Sequence, residues 1–240
     1  NPFDRSPIAE VALVDWAQID ERLNEAQLLH RDRHGWLAVH ERVAILRRAA
    51  DIMRERAEDL ALQIVREGGK PLVDARVEAG RAINSVDLCV QALSDGGGHE
   101  IPMDLTEAGA GRTAYTFREP IGPVVAISAF NHPLNLIVHQ VGPAVAAGCP
   151  VLIKPALETP LSCQSFVSIL HEAGLPEAWC RFAPCGNDIA ERMVTDPRTA
   201  FFSFIGSAKI GWMLRSKLAP GTRIALEHGG AAPVIVDSGV

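Results

Sequence analysis

Apolar side chains recur three and four positions apart from Val39 through Val43, Leu46, Ala50, Met53 and Ala57 to Leu60. That repeat puts them on one face of an α-helix and predicts helix over 38–67, broken by Gly68-Gly69-Lys70-Pro71. A second helical pattern runs over 72–93 and ends at Asp95-Gly96-Gly97-Gly98. Upstream, Asp15 is placed to cap a helix that Gly35 stops, and residues 8–13 have strand character. The first hundred residues therefore predict a helical segment with its charges facing outward. His30 and His34 stand four apart on the predicted helix, a metal-ligand spacing. No third ligand lies nearby, so a pair of surface histidines is expected.

Past Pro120 the period changes. After the turn signal Pro120-Ile121-Gly122-Pro123 comes the short apolar run Val124-Val125-Ala126-Ile127, then Asn131-His132-Pro133 and an amphipathic pattern over 134–147. Strand-like runs follow at 151–154, 180–183, 200–204, 222–226 and 233–236, with helical patterns over 159–173, 186–194 and 206–218 between them. This alternation predicts an α/β fold, a Rossmann-like parallel five-stranded sheet with helices on both faces. It is preceded by the helical segment and by a β-hairpin excursion over 101–117 turning at Ala108-Gly109-Ala110-Gly111. The same turn spells Gly109-Ala110-Gly111-Arg112-Thr113-Ala114, the lettering of a dinucleotide-binding loop. That loop needs a strand before it and a helix after it. Here a polar stretch precedes it and the strand-like Tyr115-Thr116-Phe117 follows, so it is expected to be a plain turn. The predicted divisions are 1–100, 101–118, 119–230 and 231–240.

Composition narrows the function classes. Of 240 residues 48% are hydrophobic, enough for a sizeable core, and the formal net charge is −6 without a basic run. That balance argues against nucleic-acid or anionic-membrane partners. No apolar run reaches the length of a membrane span, and the five cysteines form no CxxC pair. Reduced thiols and a cytoplasmic location are expected. The first residues, Asn1-Pro2, carry no Met, so processing of the N-terminus is expected.

Candidate chemistry gathers at predicted strand ends. Asn131 can offer an amide N–H to a developing negative charge, or can simply cap the helix behind it; the pattern leaves both open. Lys154 can reach ribose hydroxyls or a phosphate, or snorkel past apolar neighbours. Phe204-Ile205-Gly206-Ser207 joins a strand to a helix N-terminus, which suits an anion and equally an ordinary cap. Glu227 is a candidate general base, or a solvated loop carboxylate. Each has a plain explanation alone, but the four together favour a site.

The motifs carrying these residues resemble the aldehyde dehydrogenase superfamily over essentially all 240 positions. The likeness rests on Glu119-Pro-Ile-Gly-Pro-Val-Val, Phe130-Asn131-His132-Pro133-Leu134 and Pro143-Ala-Val-Ala-Ala-Gly-Cys-Pro-Val-Leu-Ile-Lys154-Pro. It continues through Thr159-Pro160, Gly174-Leu-Pro176, Phe204-Ile-Gly206-Ser207 and Glu227-His228-Gly229-Gly230. The resemblance implies oxidation of a small-molecule aldehyde to an acid with NAD or NADP, through a Cys thioester. It implies that Asn131 is the oxyanion-hole amide and Glu227 the base that activates water. Ile127, Ser128, Phe130, Lys154, Gly186, Phe204, Gly206, Ser207 and Gly229 are implied to bind the coenzyme. Lys154 falls on the adenosine ribose, and Gly206 with Ser207 against the pyrophosphate.

Departures matter as much. The family's nucleophilic Cys lies further past the general-base Glu than this sequence extends, and none of Cys89, Cys149, Cys163, Cys180 or Cys185 sits in a matching context. The resemblance thus implies a truncated form, inactive alone, with 231–240 opening a missing catalytic domain and 233–236 left without its strand partners. Leu157 stands where NAD-preferring relatives often carry Glu, which tilts the expectation slightly towards use of both coenzymes. His132 replaces a usual aromatic and His228 a usual Leu, as pocket tuning or neutral drift. A homodimer or homotetramer, formed partly through 101–117, is implied for the full-length enzyme. The competing readings are a non-catalytic nucleotide-binding module and an acyl-phosphate reductase on the same fold.

Overall fold

The computed structural model of the chain describes residues 1–230 and 232–238. Four helices come first, α1 (Trp16–Arg31), α2 (Val39–Glu55), α3 (Ala57–Gly68) and α4 (Leu72–Asp95). Asp15 caps α1 through a reciprocal box, its carboxylate accepting from the Gln18 N–H while the Gln18 side chain accepts from the Asp15 N–H. α1 stops at Arg31 and a tight turn over Arg33–Gly35 follows, so His30 and His34 do not share a helix face. His30 instead stacks on Trp36, ring centroids 5.9 Å apart.

The single helix predicted over 38–67 is two. Its apolar period carries through Arg56, but the backbone there leaves the helical region (φ −107°, ψ 18°). The Arg56 guanidinium forks onto both oxygens of Glu172, at 2.8 and 2.7 Å. The break turns α3 onto α4 and α6 (Leu161–Glu172), while α2 lies along α4 and α5 (Asn135–Ala147). Neither Gly nor Pro marks it, which is why the sequence pattern misses it. Residues 8–13 form no strand; they run mostly exposed, and the nearest backbone tie is Val14 N–H to the Pro184 carbonyl at 2.8 Å.

The excursion is a minimal hairpin. β1 (Glu100–Ile101) pairs antiparallel with β2 (Ala114–Tyr115). The glycine spelling begins at the end of a single 3-10 turn (Glu107–Gly109) and runs into β2, so no helix follows it. A Cβ at Gly109 would lie 1.8 Å from the Met103 carbonyl oxygen, so glycine is required there by close packing rather than by a phosphate.

The main sheet holds β3 (Val124–Ile127), β4 (Val151–Lys154), β5 (Cys180–Phe182), β6 (Phe201–Gly206) and β7 (Arg223–His228). All are parallel, in the order β5-β4-β3-β6-β7. Successive side chains leave a strand on opposite faces, and both faces here are covered. Val124, Ala126, Val151 and Ile153 enter one core with α2 to α6. Val125, Ile127, Leu152, Phe202 and Phe204 enter the other, with α1, α7 (Asn187–Thr195) and α8 (Ala208–Arg215). Burying each such branched or aromatic side chain contributes roughly 1.5–3 kcal/mol.

Two buried glutamates fasten the helical segment to the sheet. Glu78 of α4 accepts from the backbone N–H groups of Leu134 (3.0 Å) and Asn135 (3.1 Å), capping α5 from outside. Glu67 of α3 accepts from the N–H groups of Leu161 (2.7 Å) and Ser162 (2.8 Å), capping α6 in the same way. The positions before these helices, Leu134 and Pro160, have no side-chain acceptor of their own, so the free amides are satisfied across the chain.

The strand predicted over 233–236 is absent. Val234, Ile235 and Val236 are 86%, 92% and 77% exposed. Their β-branched run has strand propensity, but a strand also needs a neighbouring ladder, and β7 is the outermost strand of the described sheet. Of the predicted division 231–240, Ala231, Gly239 and Val240 lie outside the described residues. No helix among the described residues is long and apolar enough to cross a membrane.

Candidate coenzyme cleft

From β3 the chain steps outward through β4 to β5, then returns to lay β6 and β7 on the other side of β3. The strand order reverses between β3 and β6, and a crevice opens beyond their carboxyl ends, where open α/β sheets bind ligands. A cavity of about 330 Å³ lies there, lined by Ile127, Ser128, Phe130, Lys154, Phe204 and Gly206 among others. Six of the nine predicted coenzyme residues thus share one space. The register explains it, because Ile127 pairs with both Lys154 and Phe204.

The cleft contains polar groups without partners. Lys154 is 7% exposed, so the surface-snorkelling reading does not hold. Burial depresses its pKa, opposed by the fields of Cys185 and Glu158, and among the described residues no hydrogen bond supports its charge. Ser128 Oγ is fully buried and has no hydrogen-bond partner among the described residues. Leaving such groups unpaired costs roughly 1–3 kcal/mol each. A cation and a buried, unpaired hydroxyl on residues lining the crevice suit the ribose hydroxyls and phosphates of a dinucleotide, so the residues present fit that group. Gly206 adds close approach, since a Cβ there would come within 2.7 Å of the Phe204 ring.

The other three coenzyme candidates stand at the margin. Ser207 is the N-cap of α8, its hydroxyl accepting from the Ile210 N–H at 3.4 Å, so its ordinary capping role is real. Gly186 precedes α7 without lining the cavity, although its neighbour Asn187 does. Gly229 lies exposed past β7 and does not line the cleft.

Asn131 and Glu227 are not brought into one cavity. Asn131 is exposed in the loop after Phe130, and it does not cap α5, because Glu78 does. Glu227 is exposed within β7, opposite Ile205. It lines a separate groove of about 1190 Å³ whose wall shares Phe204 and Ile205 with the cleft. Asn131 follows β3 and Glu227 lies in β7, the two strands on either side of β6.

All five cysteines are free and buried. Burial raises every thiol pKa: to about 11 for Cys89 and Cys185, to about 12 for Cys180, and upward for Cys149 and Cys163. None is an activated thiolate at neutral pH. His132 is tied down rather than free: its Nδ1 lies 2.9 Å from Lys70 Nζ and 3.3 Å from Glu78 Oε2, and Lys70 donates to the same carboxylate. His228 packs edge-on against Trp212 and Phe204, with centroids 5.8 and 6.5 Å away.

Sequence reasoning missed Glu158, which lines the cleft, and Gln140. The Gln140 amide donates to the carbonyls of Ile127 and Ser203 and to Ser203 Oγ, holding β3 to β6 beneath the crevice. The available signal for Gln140 was a polar residue inside the apolar stripe of α5.

The Aldehyde dehydrogenase family profile matches residues 1–240, and the chain belongs to that family. It is 35% identical to an aldehyde-dehydrogenase-like protein of Sinorhizobium fredii, over 98% of this chain and 46% of that protein. It is also 35% identical to aspartate-semialdehyde dehydrogenase 1 of Pseudomonas canavaninivorans, over 98% of this chain and 50% of that one. Among solved structures, aldehyde dehydrogenase 21 of Physcomitrella patens, in complex with its product succinate, superposes with a TM-score of 0.88 at 33% identity; the match covers 94% and 47% of the two chains. Glyceraldehyde-3-phosphate dehydrogenase GapN of Methanocaldococcus jannaschii, complexed with NADP, gives 0.86 at 29%, covering 94% and 49%. The chain spans about half the length of these relatives.

Proposed function

We propose that this chain supplies the coenzyme-binding part of an NAD(P)+-dependent aldehyde dehydrogenase acting on a small aldehyde. The observation that carries this reading is the pair of unpartnered polar groups, Lys154 and Ser128 Oγ, at the point where the strand order reverses. Lys154 holds ribose hydroxyls, Ser128 and the Gly206-Ser207 turn take the pyrophosphate side, and Ile127, Phe130 and Phe204 bound the cleft. Gly186 and Gly229 border the bound coenzyme more loosely. In this reading 119–230 is the coenzyme unit, 1–100 its helical buttress, 101–118 an assembly surface for a homodimer or homotetramer, and 231–240 the lead into a further domain. Five free thiols suit a reducing, cytoplasmic setting.

The reaction follows from the family and from the two residues flanking β6. A thiolate from outside this sequence attacks the aldehyde carbon, and the Asn131 amide donates to the oxyanion that forms, a contact of the kind worth about 3 kcal/mol of barrier. When bound, the nicotinamide would supply the hydride acceptor needed for the adduct to become a thioester. Glu227 then takes a proton from water, which attacks the thioester carbon and frees the acid and the thiol. With every thiol here protonated, the chain alone binds coenzyme without turning it over.

Titration calorimetry with NAD+ and NADP+ tests this. Saturable binding of at least one coenzyme is expected, weakened by about tenfold or more in Lys154→Ala. No aldehyde-dependent NAD(P)H formation is expected from the chain alone. Failure of both coenzymes to bind, or turnover by the pure chain, overturns the reading.

A further inference from the structure

At the opposite end of β3 from the cleft, His30 in the last turn of α1 closes a seam. Its ring stacks on Trp36, and the Trp36 indole N–H donates to the His30 carbonyl at 2.9 Å. The ring also lies against the turn that leads into β3: a Cβ at Gly122 would come within 3.6 Å of its Cδ2 and 3.7 Å of its Nε2. His30 Nδ1 is buried and has no hydrogen-bond partner among the described residues. The charged groups of the surrounding segments are occupied elsewhere or carry the wrong sign. Asp32 accepts from the His34 N–H at 3.2 Å, and Glu119 is forked onto Arg33 at 2.8 and 3.3 Å. Arg31 and Arg33 are cations, and the Arg33 guanidinium already lies over the Trp36 ring, 5.2 Å from its centroid.

We propose that His30 is an acid-released latch: uncharged, it seals residues 30–36 against the Pro120–Pro123 turn, and its protonation opens that seam ahead of the rest of the fold. A protonated imidazole carries two N–H donors, and each needs an acceptor. In the closed seam Nδ1 has none, and the new charge stands among two guanidinium groups. The stack on Trp36 gives an imidazolium some cation–π attraction. Burial, and after it the fields of Arg33 and Arg31, nevertheless holds the ring's pKa below its ordinary value of 6.5. Opening the seam lets water accept from Nδ1, so the open form binds the proton more readily than the closed one. Above 6.5 both forms are uncharged and the seam keeps its full stability. Below 6.5, down to the lowered value of the closed form, opening takes up a proton and grows by up to about tenfold per unit fall in pH. The latch and the coenzyme cleft lie at opposite ends of β3, so each stands or falls separately.

The test is hydrogen exchange by NMR between about pH 7.5 and 5, corrected for intrinsic exchange chemistry, on the chain and on His30→Gln and Arg33→Met. The Trp36 indole N–H reports the seam directly, and the Val125 and Ile127 amides report the sheet. In the parent chain the Trp36 indole is expected to open up to about tenfold more often per pH unit below 6.5, while the two amides keep their protection. His30→Gln should abolish that rise. Arg33→Met removes one repelling cation and frees Glu119, so it should shrink the rise. Indole protection that does not change with pH overturns the latch, as does a rise that survives undiminished in His30→Gln. Loss of the Val125 and Ile127 amides in step with the indole also overturns it, because the transition is then global. If His30→Gln does not fold, as circular dichroism would show, Arg33→Met decides, and an undiminished rise there overturns the latch.

Discussion

Lys154 is buried where an apolar residue would be more stable. Its ammonium binds a proton less readily in the folded chain than at the ordinary value of 10.5, and burial is the main cause. The unfolded state therefore holds more protons just below that value, so this residue's contribution to stability rises as pH climbs from the lowered folded pKa towards 10.5. Lys154→Met should flatten that rise and increase stability near neutrality by about 1 kcal/mol, read from urea denaturation across pH. Loss of coenzyme affinity in the same variant would show a residue kept for function at a cost in stability. The buried thiols give a second expectation at this scale. Ellman's reagent should find no fast-reacting cysteine in the folded chain and five after denaturation. A rapid thiol in the native state would contradict the raised values at Cys89 and Cys185 in particular.

Between elements, the decisive contacts are the two glutamates that cap helices they do not belong to. Glu78→Ala would strand the Leu134 and Asn135 amides and leave Lys70 without its carboxylate. Removing one partner of a buried pair costs about 3–5 kcal/mol, and Glu78→Gln, which keeps an acceptor, should cost visibly less. Equal losses in the two variants would mean that packing volume, not capping, is what Glu78 supplies. These contacts also mark where sequence reading stopped. The strands 124–127 and 151–154 were legible because they are short apolar runs buried on both faces, and the strand ends carrying Lys154 and Gly206 came with them. The caps span 56 and 95 positions and obey no local pattern. The break at Arg56 keeps the helical period on both sides, and 233–236 has the propensity of a strand without a ladder. At the site, a lysine at a strand end could be read; that Ser128 would be left without a partner, or that Glu158 rather than Leu157 would face the cleft, depends on loop geometry. Asn131 remained undecided between amide and cap until Glu78 occupied the capping role.

Over the whole molecule, one core joins the helical segment to the sheet. Residues of α2, α3 and α4 share it with β3 and β4, and the same two strands present Val125, Ile127 and Leu152 to the opposite core. Ser128 and Lys154, the groups assigned to the coenzyme, sit at the ends of these shared strands. Coenzyme bound there is therefore coupled to both cores and through Glu67 and Glu78 to the first hundred residues. At a concentration of 100 times its dissociation constant, a ligand specific for the folded state adds about 2.7 kcal/mol, a shift of roughly 5–10 °C in melting temperature for a chain of this size. Far-ultraviolet dichroism, dominated by α1 to α6, and fluorescence from Trp16, Trp36, Trp179 and Trp212 should report that shift together. A helical signal that melts at its own temperature, indifferent to NAD+, would show the first hundred residues to be an independent unit rather than a buttress of the cleft.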